Sequence, residues 1–269
     1  MRNLCGLACA NVRIEIHFKE VVMLGNPVFY QNQINRKRAW KPVCGVRTPI
    51  TAGAETVIGR CLALRVLELD VQAWVNAVRH TPELPLCAEA IRCLELAEEE
   101  ENNHDIVLNM AAQRFSDLIS AEDQQAAYQL QTLWREHPDH PIVKAGVLES
   151  SVFFVLLPIL RLLSGSATLR VISNDISTDE ARHAAQNRQM AIDLGYSWSP
   201  SLDKLRRDTV AWMVETLDVP NHHLGNPQPW LQSSDTLLER MEAPLLKDTR
   251  RPSYIAFFEQ ANSGLPIYR

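Results

Sequence analysis

The chain has 269 residues, 46% of them hydrophobic, with a net charge of −5 and an isoelectric point near 5.9. That length buries one sizeable core and a small appendage, and the charge balance supplies no basic field for nucleic acid. The longest apolar run, Val152 to Leu163, is interrupted by Pro158 and Arg161 and falls short of the roughly 18 residues that argue for a membrane span.

Six cysteines, Cys5, Cys9, Cys44, Cys61, Cys87 and Cys93, form no C-x-x-C pair. Their density suits a reducing cytosol better than a disulfide scaffold, so a cytoplasmic location is expected. The first ten residues make a poor signal peptide, and Met23 is an alternative start.

In chain order, residues 1–54 read as an irregular arm over the core, because Gly25, Pro27, Pro42, Gly45 and Pro49 would break a long helix. A helical pattern then runs from Ala54 to Arg79. Two acids compete for its inward face: Glu68 shares a stripe with Cys61, Leu64, Val71, Val75 and Val78, and Asp70 with Ala63, Leu67, Trp74 and Ala77. Levelling across the following hairpin, at about 1.5 Å per residue, leans to Glu68 and leaves Asp70 as the alternative.

The second helix is expected from Pro85, at home in a first turn, to about Leu118. Its run Glu98-Glu99-Glu100-Glu101 turns about 100° per residue, so at most two of the four face inward. The stripe Cys87, Ala90, Leu94, Ala97, Glu101, His104, Leu108, Ala111, Phe115 picks out Glu101, with His104 one turn on. Ala121 to Glu136 reads as a connecting helix. His137 and His140 in a proline-rich turn, and His222-His223 in the loop Val219 to Pro227, read as surface.

Helix three, Ile142 to Ser164, is the most apolar, and Glu149 is its one acid, on the stripe of Ile142, Ala145, Val152, Leu156 and Leu163. Pro158 should kink it and Gly165 end it. Helix four, Ala167 to Leu194, places Glu180 and His183 on the stripe of Leu169, Ile172, Ile176, Met190 and Leu194, with Gly195 as its stop. Asp203 to Leu217 and Leu237 to Lys247 read as further helices. The clusters Arg36-Lys37-Arg38 and Arg206-Arg207 read as solvated, and Tyr254, Phe257, Phe258 and Tyr268 as a tail packed on the rest. Carboxylates placed on inward faces are costly unless paired, hydrogen-bonded or bound to metal.

Four helices therefore carry Glu, Glu-x-x-His, Glu and Glu-x-x-His in that order. The pattern resembles the ferritin-like dimetal carboxylate superfamily, over about residues 55–195. The resemblance implies an all-α fold: a ferritin-like four-helix bundle at residues 55–200, the irregular arm at 1–54, and extra C-terminal helices at 201–269 packing on the bundle. It also implies that Glu68, Glu101, His104, Glu149, Glu180 and His183 hold two iron ions, or manganese and iron. Four carboxylates neutralise two divalent ions, and one imidazole on each leaves room for dioxygen.

The string Thr178-Asp179-Glu180-Ala181-Arg182-His183 is similar to ribonucleotide reductase small subunits and to bacterial multicomponent monooxygenases. By that likeness Asp179 orients His104 and Glu100 orients His183, and Phe153, Leu157, Ile176 and Leu108 line a substrate pocket. Trp40-Lys41-Pro42 resembles the Trp-x-Pro of the reductase subunit. Three departures stand out: Leu108 occupies the place of that subunit's radical tyrosine, Phe153 that of the monooxygenase pocket threonine, and Ile176 that of the extra histidine of arylamine N-oxygenases.

The expected activity is a non-haem dimetal oxidoreductase that activates dioxygen to hydroxylate, N-oxygenate or desaturate an organic substrate. The alternatives are a divergent reductase small subunit without the usual radical tyrosine and a non-enzymatic ferritin-like iron-binding protein. The expected partners are a small-molecule substrate, an electron donor and, where the chain self-associates, a second copy in a homodimer. Neither nucleic acid nor a membrane is expected.

Overall fold

A computed structural model describes residues 24–84 and 86–242, and over them the chain is α-helical, with one isolated parallel bridge between Leu24 and Leu86. The arm expected to be irregular opens with a helix, α1 (Pro27–Asn35). Asn26 caps it by accepting from Phe29 N at 3.1 Å, and Pro27 stands in its first turn, where a missing N–H is no loss. A residue read as a breaker is thus a starter.

The pattern from Ala54 to Arg79 divides into α2 (Glu55–Ala63), a 3₁₀ turn (Leu64–Leu67) and α3 (Glu68–Arg79). Side chains take carbonyls around the tightened turn: Gln131 Nε2 donates to Val66 O at 2.7 Å and Arg65 Nη1 to Leu62 O at 3.0 Å. Next comes α4 (Ala88–Arg114), which stops short of the expected Leu118 and is followed by a 3₁₀ turn, Ser116–Leu118. Pro85 lies outside the described residues. Ser120 caps α5 (Ala121–Glu136), accepting from Asp123 N at 3.0 Å.

The most apolar helix comes in two pieces, α6 (Pro141–Leu148) and α7 (Phe154–Leu162), joined by a π-helical turn, Glu149–Phe153. The expected disturbance at Pro158 is preceded by this one, which has its own cause. The hydroxyls of Ser150 and Ser151 donate back to the carbonyls of Gly146 and Val147, a bonding that bends helices. Taken together, Pro141–Leu162 is 22 residues long and holds an 18-residue window of mean hydropathy 1.9, long and apolar enough to cross a membrane. This corrects the expectation that no stretch reaches that length; the segment's apolar window is wholly buried inside the fold.

Ser166 opens α8 (Ala167–Leu194) by accepting from Leu169 N, and Gly195 closes it at φ 72°. Then follow α9 (Pro200–Val214) and α10 (Pro227–Glu242). The last starts well before the expected Leu237, because Asn226 and Pro227 repeat the capped proline start of α1, with Asn226 accepting from Gln228 N at 3.2 Å. The expected end at Lys247, the aromatic tail, Cys5, Cys9 and Met23 lie outside the described residues.

Helix α3 packs on α4 and α6, and α8 packs on the same two, closing a ring of four around the core. Helices α9 and α10 pack on each other, and α10 covers the π turn. The stretch 37–51, without regular structure, is tied across α4 and α8 by Lys37 to Glu99, Arg38 to Asp175 and Thr168 Oγ1 donating to Val46 O. The reading of Arg206-Arg207 as solvated is corrected: Arg206 is 1% exposed. Its guanidinium donates to Asp203, Ser234 and Asp235 at 2.5–2.9 Å. A planar fork of donors can be buried when acceptors surround it.

Candidate metal centre

Glu68 opens α3, Glu101 and His104 sit one turn apart on α4, Glu149 opens the π turn, and Glu180 and His183 sit one turn apart on α8. None of the six is more than 1% exposed. His104 Nδ1 lies 3.1 Å from Glu180, 3.5 Å from Glu101 and 3.7 Å from Glu68. His183 Nδ1 lies 2.7 Å from Glu101 and 3.9 Å from Glu180. Donor atoms of Glu101, His104, Glu180 and His183 all fall within 4.8 Å of one another. Two short i, i+3 motifs on facing helices thus meet around one point.

Glu149 stands apart from those four. Its Oε2 accepts from Asn187 Nδ2 at 2.6 Å, leaving Oε1 free. Asp70, the alternative first acid, is turned elsewhere: its Oδ1 accepts from Arg135 Nε at 2.8 Å. It is buried as Glu68 is, but it serves a different partner.

Both imidazoles turn their far nitrogens to acids on the opposite helix. His104 Nε2 lies 3.4 Å from Asp179 Oδ2, and His183 Nε2 lies 2.8 Å from Glu100 Oε2. Asp179 also accepts from Trp40 Nε1 at 2.6 Å, and the indole stacks near His104, with centroids 6.1 Å apart. Glu100 is paired with Arg182, itself buried.

Whether these residues fit a metal is decided by their unsatisfied atoms. Among the described residues, both oxygens of Glu101 and Glu180, Oε2 of Glu68, Oε1 of Glu149 and Nδ1 of both histidines are buried with no hydrogen-bond partner outside this group. Orphaned buried acceptors are rare and costly, and those of Glu101, His104, Glu180 and His183 converge. Carboxylate oxygens and imidazole nitrogens are both metal donors, so Glu101, His104, Glu180 and His183 could hold a metal ion.

Electrostatics agree. Burial, then the charge of Glu180, raises the pKa of Glu101 and of Glu149 well above the carboxylate range, with Asn187 working against the rise at Glu149. Burial also raises Glu180. At His104, burial disfavours the charged ring, but Glu101, Asp179 and Glu180 outweigh it and hold the pKa well up. At His183, burial and the Arg182 charge push it down to about 3. Crowded acids that would rather keep protons are poised to exchange them for cations.

Of the expected pocket, Phe153, Leu157, Ile176 and Leu108 are all buried in the main hydrophobic core. Two surface clefts among the described residues are lined by other side chains, one by Arg79, Arg92 and Glu98, the other by Arg65, Asn109 and Gln124. His137 meets Ser201, His140 caps α6, and His222 accepts from Leu224 N. Two contributors escaped the sequence reading. Asn187 lies seven residues beyond Glu180 on the inward stripe, a signal that was readable. Arg182 gave none: it lies off the stripe of Glu180 and His183, yet its Nη2 comes within 3.2 Å of His183 Nε2 and both meet Glu100. Comparison of the chain with protein-family models and with curated proteins returns no match.

Proposed function

We propose that this chain is a non-haem dimetal oxidoreductase built on a ferritin-like four-helix bundle, which uses dioxygen to oxidise a small organic substrate. Glu68, Glu101, His104, Glu149, Glu180 and His183 would hold two iron ions, or manganese and iron. The observation that carries the proposal is the convergence of fully buried carboxylate and imidazole atoms of Glu101, His104, Glu180 and His183, with Glu68 beside them. Once bound, such ions supply dioxygen with electrons and a Lewis acid.

The protein's own contribution is geometry and exclusion. Asp179 and Glu100, placed at the Nε2 atoms, favour the tautomer that leaves each Nδ1 lone pair facing inward. Asn187 holds one oxygen of Glu149 and so aims the other. Phe153, Leu157, Ile176 and Leu108 belong to the apolar core, and hydrocarbon around such a centre would keep water out and strengthen every charge inside.

Metal analysis of protein grown with iron and manganese tests this reading, with two ions per chain expected. A Glu180→Ala variant that retained both would refute it.

One observation favours a second reading, a divergent reductase small subunit. Trp40, Asp179 and His104 form a hydrogen-bonded line from the arm to the centre, a route along which an electron can enter. Leu108, at the tyrosine's place, weighs against it. A stable complex with a reductase large subunit, together with a protein radical signal, would favour this second reading.

A further inference from the structure

We propose that the two ion positions are electrostatically unequal: the ion beside His104 binds first and more tightly than the ion beside His183, and Arg182 is the specificity-determining residue that sets the difference. This rests on the dimetal reading above.

The two imidazoles are backed by carboxylates of different net charge. Behind His104, Asp179 has the neutral indole of Trp40 as its other partner, 2.6 Å away, and keeps its full negative charge. Behind His183, Glu100 is in ion-pair contact with the guanidinium of Arg182, which is 6% exposed, and its charge is largely cancelled. A histidine bonded to an uncompensated carboxylate is the stronger donor to a cation.

The inward side adds to the imbalance. His104 Nδ1 has three acids, Glu68, Glu101 and Glu180, within 3.7 Å, whereas His183 Nδ1 has two, Glu101 at 2.7 Å and Glu180 at 3.9 Å. In a buried, weakly screened site each uncompensated charge weighs heavily on cation affinity. The sequence carries the same asymmetry, since Arg182 precedes His183 where Asn103 precedes His104.

The test is an anaerobic titration of metal-free, full-length protein with Mn(II), the free ion counted by electron paramagnetic resonance. Two ions per chain are expected, the first bound on the order of 10- to 100-fold more tightly than the second. Arg182→Gln should draw the second step toward the first, while Arg182→Lys, which keeps the charge, should retain the original spacing. Glu68→Gln should weaken the tight step selectively. Two equal sites in the unaltered protein, or an Arg182→Gln variant that weakens both steps alike, would overturn the proposal. Fewer than two ions per chain would instead overturn the dimetal reading itself.

Discussion

Asn187 donates its side-chain amide to Glu149 Oε2 at 2.6 Å, joining α8 to the π turn. The bond matters because Glu149 is fully buried and its other oxygen has no partner. Asn187→Leu should strand a second oxygen, costing the metal-free protein about 1–3 kcal/mol and weakening metal binding on the order of tenfold. Denaturant unfolding and a metal titration read the two effects. If neither changes, the amide does not position the carboxylate.

Stability of the metal-free protein should depend on pH in a defined direction. Glu101 and Glu149, raised by burial and by Glu180, and His104, raised by carboxylates that outweigh burial, all bind protons more tightly folded than unfolded. Their contribution is complete below the ordinary values, 4.5 for the carboxyls and 6.5 for the imidazole, and drains away as pH rises. His183, pushed down to about 3, acts in the opposite sense, but only below 6.5. Above pH 6.5 His183 no longer opposes the first group, so between pH 6.5 and about 8.5 the thermal midpoint should fall while stabilisation by added metal grows. A flat or rising metal-free midpoint over that range contradicts the assignment.

Gly59 lies in α2 where the backbone of Leu118 crosses it, and a Cβ there would overlap the Leu118 carbonyl. Main chain cannot step aside as a side chain can. Gly59→Ala should therefore cost about 1–3 kcal/mol or more, read as a lowered denaturant midpoint. A neutral substitution would mean that α2 and the Ser116–Leu118 turn can separate freely.

Arg206 ties α9 to α10, and Ser234, one of its acceptors, passes its own hydrogen bond to the Ser151 carbonyl in the π turn at 2.7 Å. Arg206→Met should destabilise by about 2–4 kcal/mol, less than for a wholly buried pair because Asp203 and Asp235 are partly exposed. Arg206→Lys should recover only part of this, since an ammonium cannot reproduce the planar fork. Equilibrium unfolding of the two variants gives the ranking; full recovery by lysine would show that charge alone matters there.

Much of this protein is determined by short-range order in the sequence. The ends of α8 follow from Ser166 and Gly195, and the inward placement of Glu101, Glu149 and Glu180 from the stripes on which they stand, because caps and helical periodicity act over a few residues. The misreadings near α1 and α10 were also local: in both, an Asn-Pro pair starts a helix that the proline alone argued against.

Tertiary structure decided what local pattern left open. Glu68 and Asp70 both lie on apolar stripes and both are buried; what separates them is Arg135, far along the chain, which takes Asp70 and leaves Glu68 facing His104. Arg206 is buried only because Ser234 and Asp235 arrive on α10 to meet it. Likewise Arg182 and His183, neighbours in sequence with Nη2 and Nε2 3.2 Å apart, are held together by one Glu100 oxygen on another helix. In each case the deciding partner is remote in sequence, and a polar side chain's role is set by which partner the packed fold brings within hydrogen-bond reach.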